Sequence, residues 1–219
     1  MLPLQIALTG NEGSGLHDVG YHFEKNGVKI FNADIQLKWI LNYDEYVIGL
    51  VKRKFGQGSV TSGFLNPLYF NDDTRFDDLL DIVEFKLFDQ LSKFRHKNRG
   101  KCYIIFLSSL VHERNWSNKF DMTVMVTRVT EERIENFWRN SEYSLKQSKM
   151  LFINEISQSE KSRNSEFILD NITESLIDKQ VKDIDSQIVN YYMKTRNTQH
   201  RSLGQTNFIP SNSIKNVSE

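Results

Sequence analysis

Residues 4 to 18, Leu-Gln-Ile-Ala-Leu-Thr-Gly-Asn-Glu-Gly-Ser-Gly-Leu-His-Asp, constrain this chain more than any other stretch. The apolar run Leu4 to Leu8 has the length of a buried strand. A glycine-dense turn follows from Gly10 to Gly15, and Val19, His22 and Phe23 then recur at helical spacing. Strand, glycine loop and helix is the setting of a phosphate-binding loop. Such a loop turns successive backbone N–H groups and a helix N-terminus toward an anion. The usual pattern closes Gly-Lys-Ser/Thr. This chain closes Gly15-Leu16-His17, so the frame is present without its cationic and hydroxyl side chains. The expected nucleotide-binding positions are Gly10, Asn11, Glu12, Gly13, Ser14, Gly15, Leu16 and His17.

The next segment fixes the topology. A helix over Asp18–Asn26 would end at Gly27, where positive φ carries no steric cost. Val28 to Phe31 then reads as a second strand, followed by Asn32-Ala33-Asp34. Strand, helix and strand in about 30 residues is a βαβ unit with parallel strands. Ligands of such sheets sit beyond the carboxyl ends of the strands. Asp34 belongs to that edge. A carboxylate there can accept a proton from a substrate hydroxyl, or it can cap a helix over 35–50.

Residues 35 to 55 read as one or two core-facing helices, and 55–63 as a loop. Asn66-Pro67 adds a turn, and Asn71 to Thr74 looks like a helix start. Arg75 to Arg95 is a long amphipathic helix, followed by a basic turn from His96 to Lys101. Cys102 to Leu107 is a continuous apolar run suited to a central parallel strand. Ser108, Ser109, His112 and Glu113 would then lie on the edge that carries the glycine loop and Asp34. Met122 to Val126 is a further strand, and residues 131 to 160 are helical with a break near Asn140-Ser141. Phe167 to Leu169 is a short last strand. A final helix runs from Thr173 or Glu174 to Met193. The fold expected is α/β, a three-layer parallel sheet of about five strands with helices on both faces.

Twenty-eight Lys and Arg balance 28 Asp and Glu, which argues against nucleic acid held by bulk charge. The one cysteine, Cys102, sits in an apolar strand and reads as a small core residue. No segment reaches the ~18 consecutive apolar residues of a transmembrane helix. Met1-Leu2-Pro3 leads straight into the first strand, which leaves no room for a signal peptide. A cytoplasmic protein with no membrane contact is expected. Apolar residues thin out beyond Lys194, so residues 194–219 are expected to form a poorly ordered tail that could dock on a protein partner.

The order of these pieces resembles the P-loop nucleoside-monophosphate kinases, and within them dephospho-CoA kinase. The resemblance spans roughly residues 4 to 190. It rests on Ile6 to Gly10 with Gly13-Ser14-Gly15, and on Phe31-Asn32-Ala33-Asp34-Ile35. Phe55-Gly56 and Gly63 to Asn66 fit the loop before an insertion. Leu110, Val111 and Glu113, then Phe120-Asp121 with Met122 to Val126, fit the next two segments. Lys161 and Phe167 to Asn171 match the segment that approaches adenine. The resemblance implies a domain over 1–193 with a helical insertion at 35–95 and a lid at 131–160. It implies Asp34 as a base facing the acceptor, Arg133 and Arg139 as lid arginines, and Asn171 near the nucleotide. It also implies ATP and Mg²⁺ as cofactors of an active enzyme, and an adenine nucleotide or CoA-type ligand.

The departures concern charge. Leu16 replaces the lysine and His17 the Ser/Thr that would hold Mg²⁺. The aspartate expected after the third strand falls at Leu107 or Ser108, and the acceptor arginine at Pro67. The histidine of a His-Pro pair falls at Glu84, and the second lid arginine at Met150 or Leu151. Phosphoryl transfer is mostly positioning and charge neutralisation. Losing one stabilising group costs about 2.7–4 kcal/mol. The sequence therefore points to a pseudokinase that binds a nucleotide or a protein, with no metal site. Lys101 or Lys161 is a candidate substitute cation. The alternatives are an active kinase acting on a ribose hydroxyl, and a structural subunit of an assembly.

Overall fold

The computed structural model describes residues 2–61, 64–65, 73–140 and 155–204. Five parallel strands form the central sheet: β1 (Leu4–Gly10), β2 (Lys29–Asn32), β5 (Tyr103–Leu107), β6 (Met122–Thr127) and β7 (Phe167–Asp170), in the order β2-β5-β1-β6-β7. The register runs Leu4 to Leu8 against Tyr103 to Leu107, and Ile6 to Gly10 against Met122 to Val126. Every residue of β5 is buried, as a strand covered on both faces requires. Between the sheet strands, β3 (Val60–Thr61) and β4 (Phe64–Leu65) form a minimal antiparallel pair.

Helices cover both faces. On one side lie α1 (Leu16–Lys25) and the final helix α7 (Glu174–Gly204), packing Val19, Phe23, Val181 and Ile188 against Ile6, Leu8, Ile105 and Val124. His22 of α1 and Asp178 of α7 meet at 2.5 Å. On the other side lie α2 (Ala33–Tyr43), α3 (Glu45–Phe55) and α4 (Asp73–Lys97), with Leu37, Ile40, Val51, Leu79 and Leu87 packed on Ala7, Ile104 and Phe106. Two further helices, α5 (Thr130–Asn140) and α6 (Gln158–Arg163), flank β6 and β7.

Several boundaries differ from the reading of the sequence. Asn32, not Asp34, caps α2, its side chain accepting the Ile35 N–H. That leaves the Asp34 carboxylate in the first turn, available to other partners. The stretch 35–55 is two helices because Asp44 caps α3 by accepting from Val47 N–H. α7 continues through Gly204 and does not stop at Met193, since no proline or glycine interrupts it before then. The turn at Asn66-Pro67, residues 141–154 with the positions Met150 and Leu151, and the tail from 205 lie outside the described residues.

Candidate functional site

The carboxyl ends of β1 and β2 and the segment after β5 converge on one cleft. Asn11 to Asp18, Asp34, Ser109, Asn136 and Phe137 line a cavity of about 280 Å³. Gly15 holds φ +76° and stands at the N-cap of α1, so the chain turns from loop to helix in a left-handed conformation that a glycine adopts freely. The Asn171 side chain is buried and donates to the Ser14 carbonyl at 2.7 Å. It braces the loop from the end of β7.

Behind the loop, α5 and the segment before α6 form a clamp. The Arg133 Nε donates to Glu12 O at 3.0 Å, and its guanidinium meets the Glu155 carboxylate at 2.5 Å. Glu155 accepts the Glu12 N–H at 2.7 Å and an Asn11 Nδ2 hydrogen at 3.0 Å. Asn136 donates to Gly13 O at 3.2 Å. Arg133 is buried among these contacts. Arg139 is exposed and pairs with Glu135 one turn earlier.

Asp34 faces the cavity across from the loop. Ser108 Oγ donates to its Oδ1 at 2.8 Å, and His17 Nε2 lies 3.9 Å from its Oδ2. Asn32 spends its oxygen on the Ile35 N–H, so its amide hydrogens face His17 Nδ1 at 3.2 Å. A neutral His17 therefore carries its proton on Nε2, toward Asp34. Burial pushes the Asp34 carboxyl above the ordinary range, while the Ser108 hydroxyl and His17 pull it partly back. Desolvation also raises Glu12, with the charges of Asp34 and Glu155 adding to it and the Ser109 hydroxyl and Lys161 opposing. Glu12 remains exposed over much of its surface, which moderates the effect.

Lys161 is 1% exposed and forms an ion pair with Glu113. Its charge reaches Glu12, but its ammonium is committed to a carboxylate. Lys101 precedes β5, at the opposite end of the sheet from the loop. His112 turns away from the loop cleft into a separate polar cavity, with Ser165 Oγ at 3.2 Å. The sequence drew attention to the loop, Asp34 and Asn171. It gave no sign of Glu155, Asn136 or Phe137, which reach the loop from more than a hundred residues away. Among the described residues, no group of three or more His, Cys, Asp or Glu side chains could hold a metal ion, and no helix is long and apolar enough to cross a membrane.

Residues 4–176 match the family model described as dephospho-CoA kinase. The chain belongs to the dephospho-CoA kinase family. A dephospho-CoA kinase of Salinibacter ruber is 23% identical over 174 residues, covering 76% of this chain and 87% of the relative. One from Staphylococcus haemolyticus is 23% identical over 186 residues, covering 82% and 92%. Among solved structures, the TT1252 protein of Thermus thermophilus superposes with a TM-score of 0.74 at 21% identity, covering 85% of this chain and 98% of that one. The dephospho-CoA kinase of Campylobacter jejuni gives 0.61 at 14% identity, with 85% and 97% covered. These likenesses bear on the fold, a P-loop kinase α/β sandwich. Leu16 and His17, which follow the last glycine of the loop, both line the cavity.

Proposed function

We propose that this member of the dephospho-CoA kinase family has lost or greatly weakened phosphoryl transfer and acts as a binding or interaction module on the kinase scaffold. One observation carries the reading. The cavity at the loop is lined by the carboxylates of Glu12, Asp18 and Asp34, and by no Lys or Arg among the described residues. A triphosphate needs the opposite sign of charge at its transferring group. At the position of the magnesium-binding hydroxyl stands the imidazole of His17, a poorer ligand for a cation that prefers oxygen. Arg133, the lid arginine nearest the loop, supports the Glu12 carbonyl and Glu155. In the active relatives' chemistry ATP and Mg²⁺ would supply the phosphoryl group and neutralise its charge.

The second reading is an active kinase with Asp34 as general base. It is favoured by the raised Asp34 carboxyl and its Ser108 partner, because a base gains strength as its pKa rises toward the working pH. A coupled assay with Mg²⁺, ATP and dephospho-CoA separates the two. Turnover below about 1 s⁻¹, the low end of kinase rates, is expected, and faster turnover would establish the active enzyme. Leu16→Lys with His17→Ser supplies the two absent groups. Under the module reading this pair regains little, because Glu12 and Asp34 still repel phosphate.

A further inference from the structure

The outer edge of β2, with α2 and the end of α4, forms a surface that shares no lining residue with the loop cleft. What it does is independent of whether phosphate is transferred there. We infer that this edge is a docking groove for an extended acidic segment of another protein, which adds to the sheet as a sixth strand.

β2 pairs with β5 on one side and, among the described residues, has no strand on the other. An outer strand leaves a row of backbone N–H and C=O groups ready to pair. Ile30, Phe31 and Asn32 of β2 all line one groove of about 480 Å³. Consecutive strand side chains point to opposite faces, so this groove follows the edge of β2 and does not lie over one face. Ile35 of α2 and Phe94 of α4 continue its apolar lining. The apolar surface extends beyond it: Ile35 is 61% exposed, and Trp39, one turn further along α2, is 47% exposed. Contiguous exposed apolar surface with a polar rim marks an interaction site.

The rim sets the sign of the partner. Lys93 and Lys97 line the groove, and no Asp or Glu does. Lys29 starts β2 and shares a strand face with Phe31, which adds a third ammonium. Asp89 matches Lys93 at 2.7 Å, while Lys29 and Lys97 have no ion-pair partner among the described residues. The carboxyl end of α4 offsets about half a charge, and the remainder is positive. Residues two apart on an added strand share a face. Such a strand can present an apolar side chain to Phe31 and Phe94 and, two positions on, a carboxylate to Lys29 and Lys97, while its backbone completes β2. A second copy of this chain fits less well, because its own groove brings a second cationic rim and no carboxylate to meet it.

Fluorescence anisotropy of the full chain with labelled Thr-Glu-Thr-Ile-Thr-Glu-Thr tests this. The peptide reads the same in both directions, so it serves whichever way the added strand runs. Saturable binding below about 1 mM is expected, and its absence overturns the inference. Replacing both glutamates of the peptide with lysine is expected to weaken binding at least about 10-fold, as is Lys93→Glu with Lys97→Glu in the protein. Both lysines are on the surface, and circular dichroism establishes that the variant is folded. Of two further peptides, N-methylated at the isoleucine or at the threonine after it, one loses an amide that points at β2 and is expected to bind about 10-fold more weakly. Equal binding of the acidic and basic peptides, undiminished affinity in the folded variant, or full affinity of both methylated peptides overturns the inference. Light scattering is expected to show a monomer. A dimer that the exposed change Ile35→Asp dissociates assigns the groove to a second copy and overturns the acidic partner.

Discussion

Gly13 holds φ +75°, and a Cβ placed there would lie 2.2 Å from the Arg133 carbonyl oxygen. That oxygen belongs to the backbone of α5, so it cannot swing aside as a side chain would. Gly13→Ala is therefore expected to cost at least the roughly 1–3 kcal/mol of a strained left-handed residue. A urea titration measures it, and an unchanged midpoint would show that α5 does not press on the loop. Asp34 makes the opposite kind of prediction. Its folded pKa is raised, so the folded state holds the proton more tightly than the unfolded chain. The stability this gives is complete below the unfolded value near 4 and is lost as pH rises through the folded value. At pH 7 the carboxylate is thus a burden, and Asp34→Asn, which keeps an acceptor for Ser108, should unfold at higher urea than the wild type. A lower midpoint would mean that the charge itself stabilises the cleft.

At the scale of elements, the loop is held by parts of the chain distant from it. α5 brings Arg133 and Asn136, the segment before α6 brings Glu155, and the end of β7 brings Asn171. Gln158 of α6 adds two hydrogen bonds to the Arg128 backbone, tying α6 to the turn before α5. In the Arg133–Glu155 pair the arginine is buried and the glutamate partly buried, at 5% and 15% side-chain exposure. Arg133→Ala removes the counter-charge of Glu155, which keeps the Glu12 N–H and Asn11 as donors, and is expected to cost about 3 kcal/mol, the low end for breaking a buried pair. Removing both charges, with Arg133→Ala and Glu155→Gln, should cost less than the single change. Chemical denaturation of the four proteins of this cycle gives the coupling directly, and simple additivity would refute the clamp.

At the scale of the whole molecule, Phe106 joins the sheet to the helical insertion. It stacks on Phe31 of β2 and Phe88 of α4, and meets Trp116 and Phe120 of the segment between β5 and β6. Phe106→Ala is expected to cost about 3–5 kcal/mol, and hydrogen exchange should show α4 losing protection with the sheet. A loss confined to β5 would mean that the insertion is a separate folding unit. The sheet and the helices around it were legible in the sequence because their signals are local: apolar runs of strand length, helical periodicity, a glycine loop between them. The Gly15-Leu16-His17 close of the loop could likewise be read directly, since a motif is defined by adjacent residues. Asp34 was legible as an edge residue but not as a partner of Ser108, because two assignments competed and only the Asn32 cap excluded one. Helix α7 was read short for a related reason: apolar periodicity reports a buried face, whereas the helix ends where its backbone ladder ends. What the tertiary structure alone decided is the sign of the cleft. Glu155 reaches Asn11 across 144 residues, and the charge of Lys161 acts on Glu12 although the two are far apart in sequence. Electrostatic energy depends on distance through space, and sequence separation carries almost no information about that distance. The sequence by itself determined a glycine-loop α/β scaffold; the fold determined which charges face one another inside it.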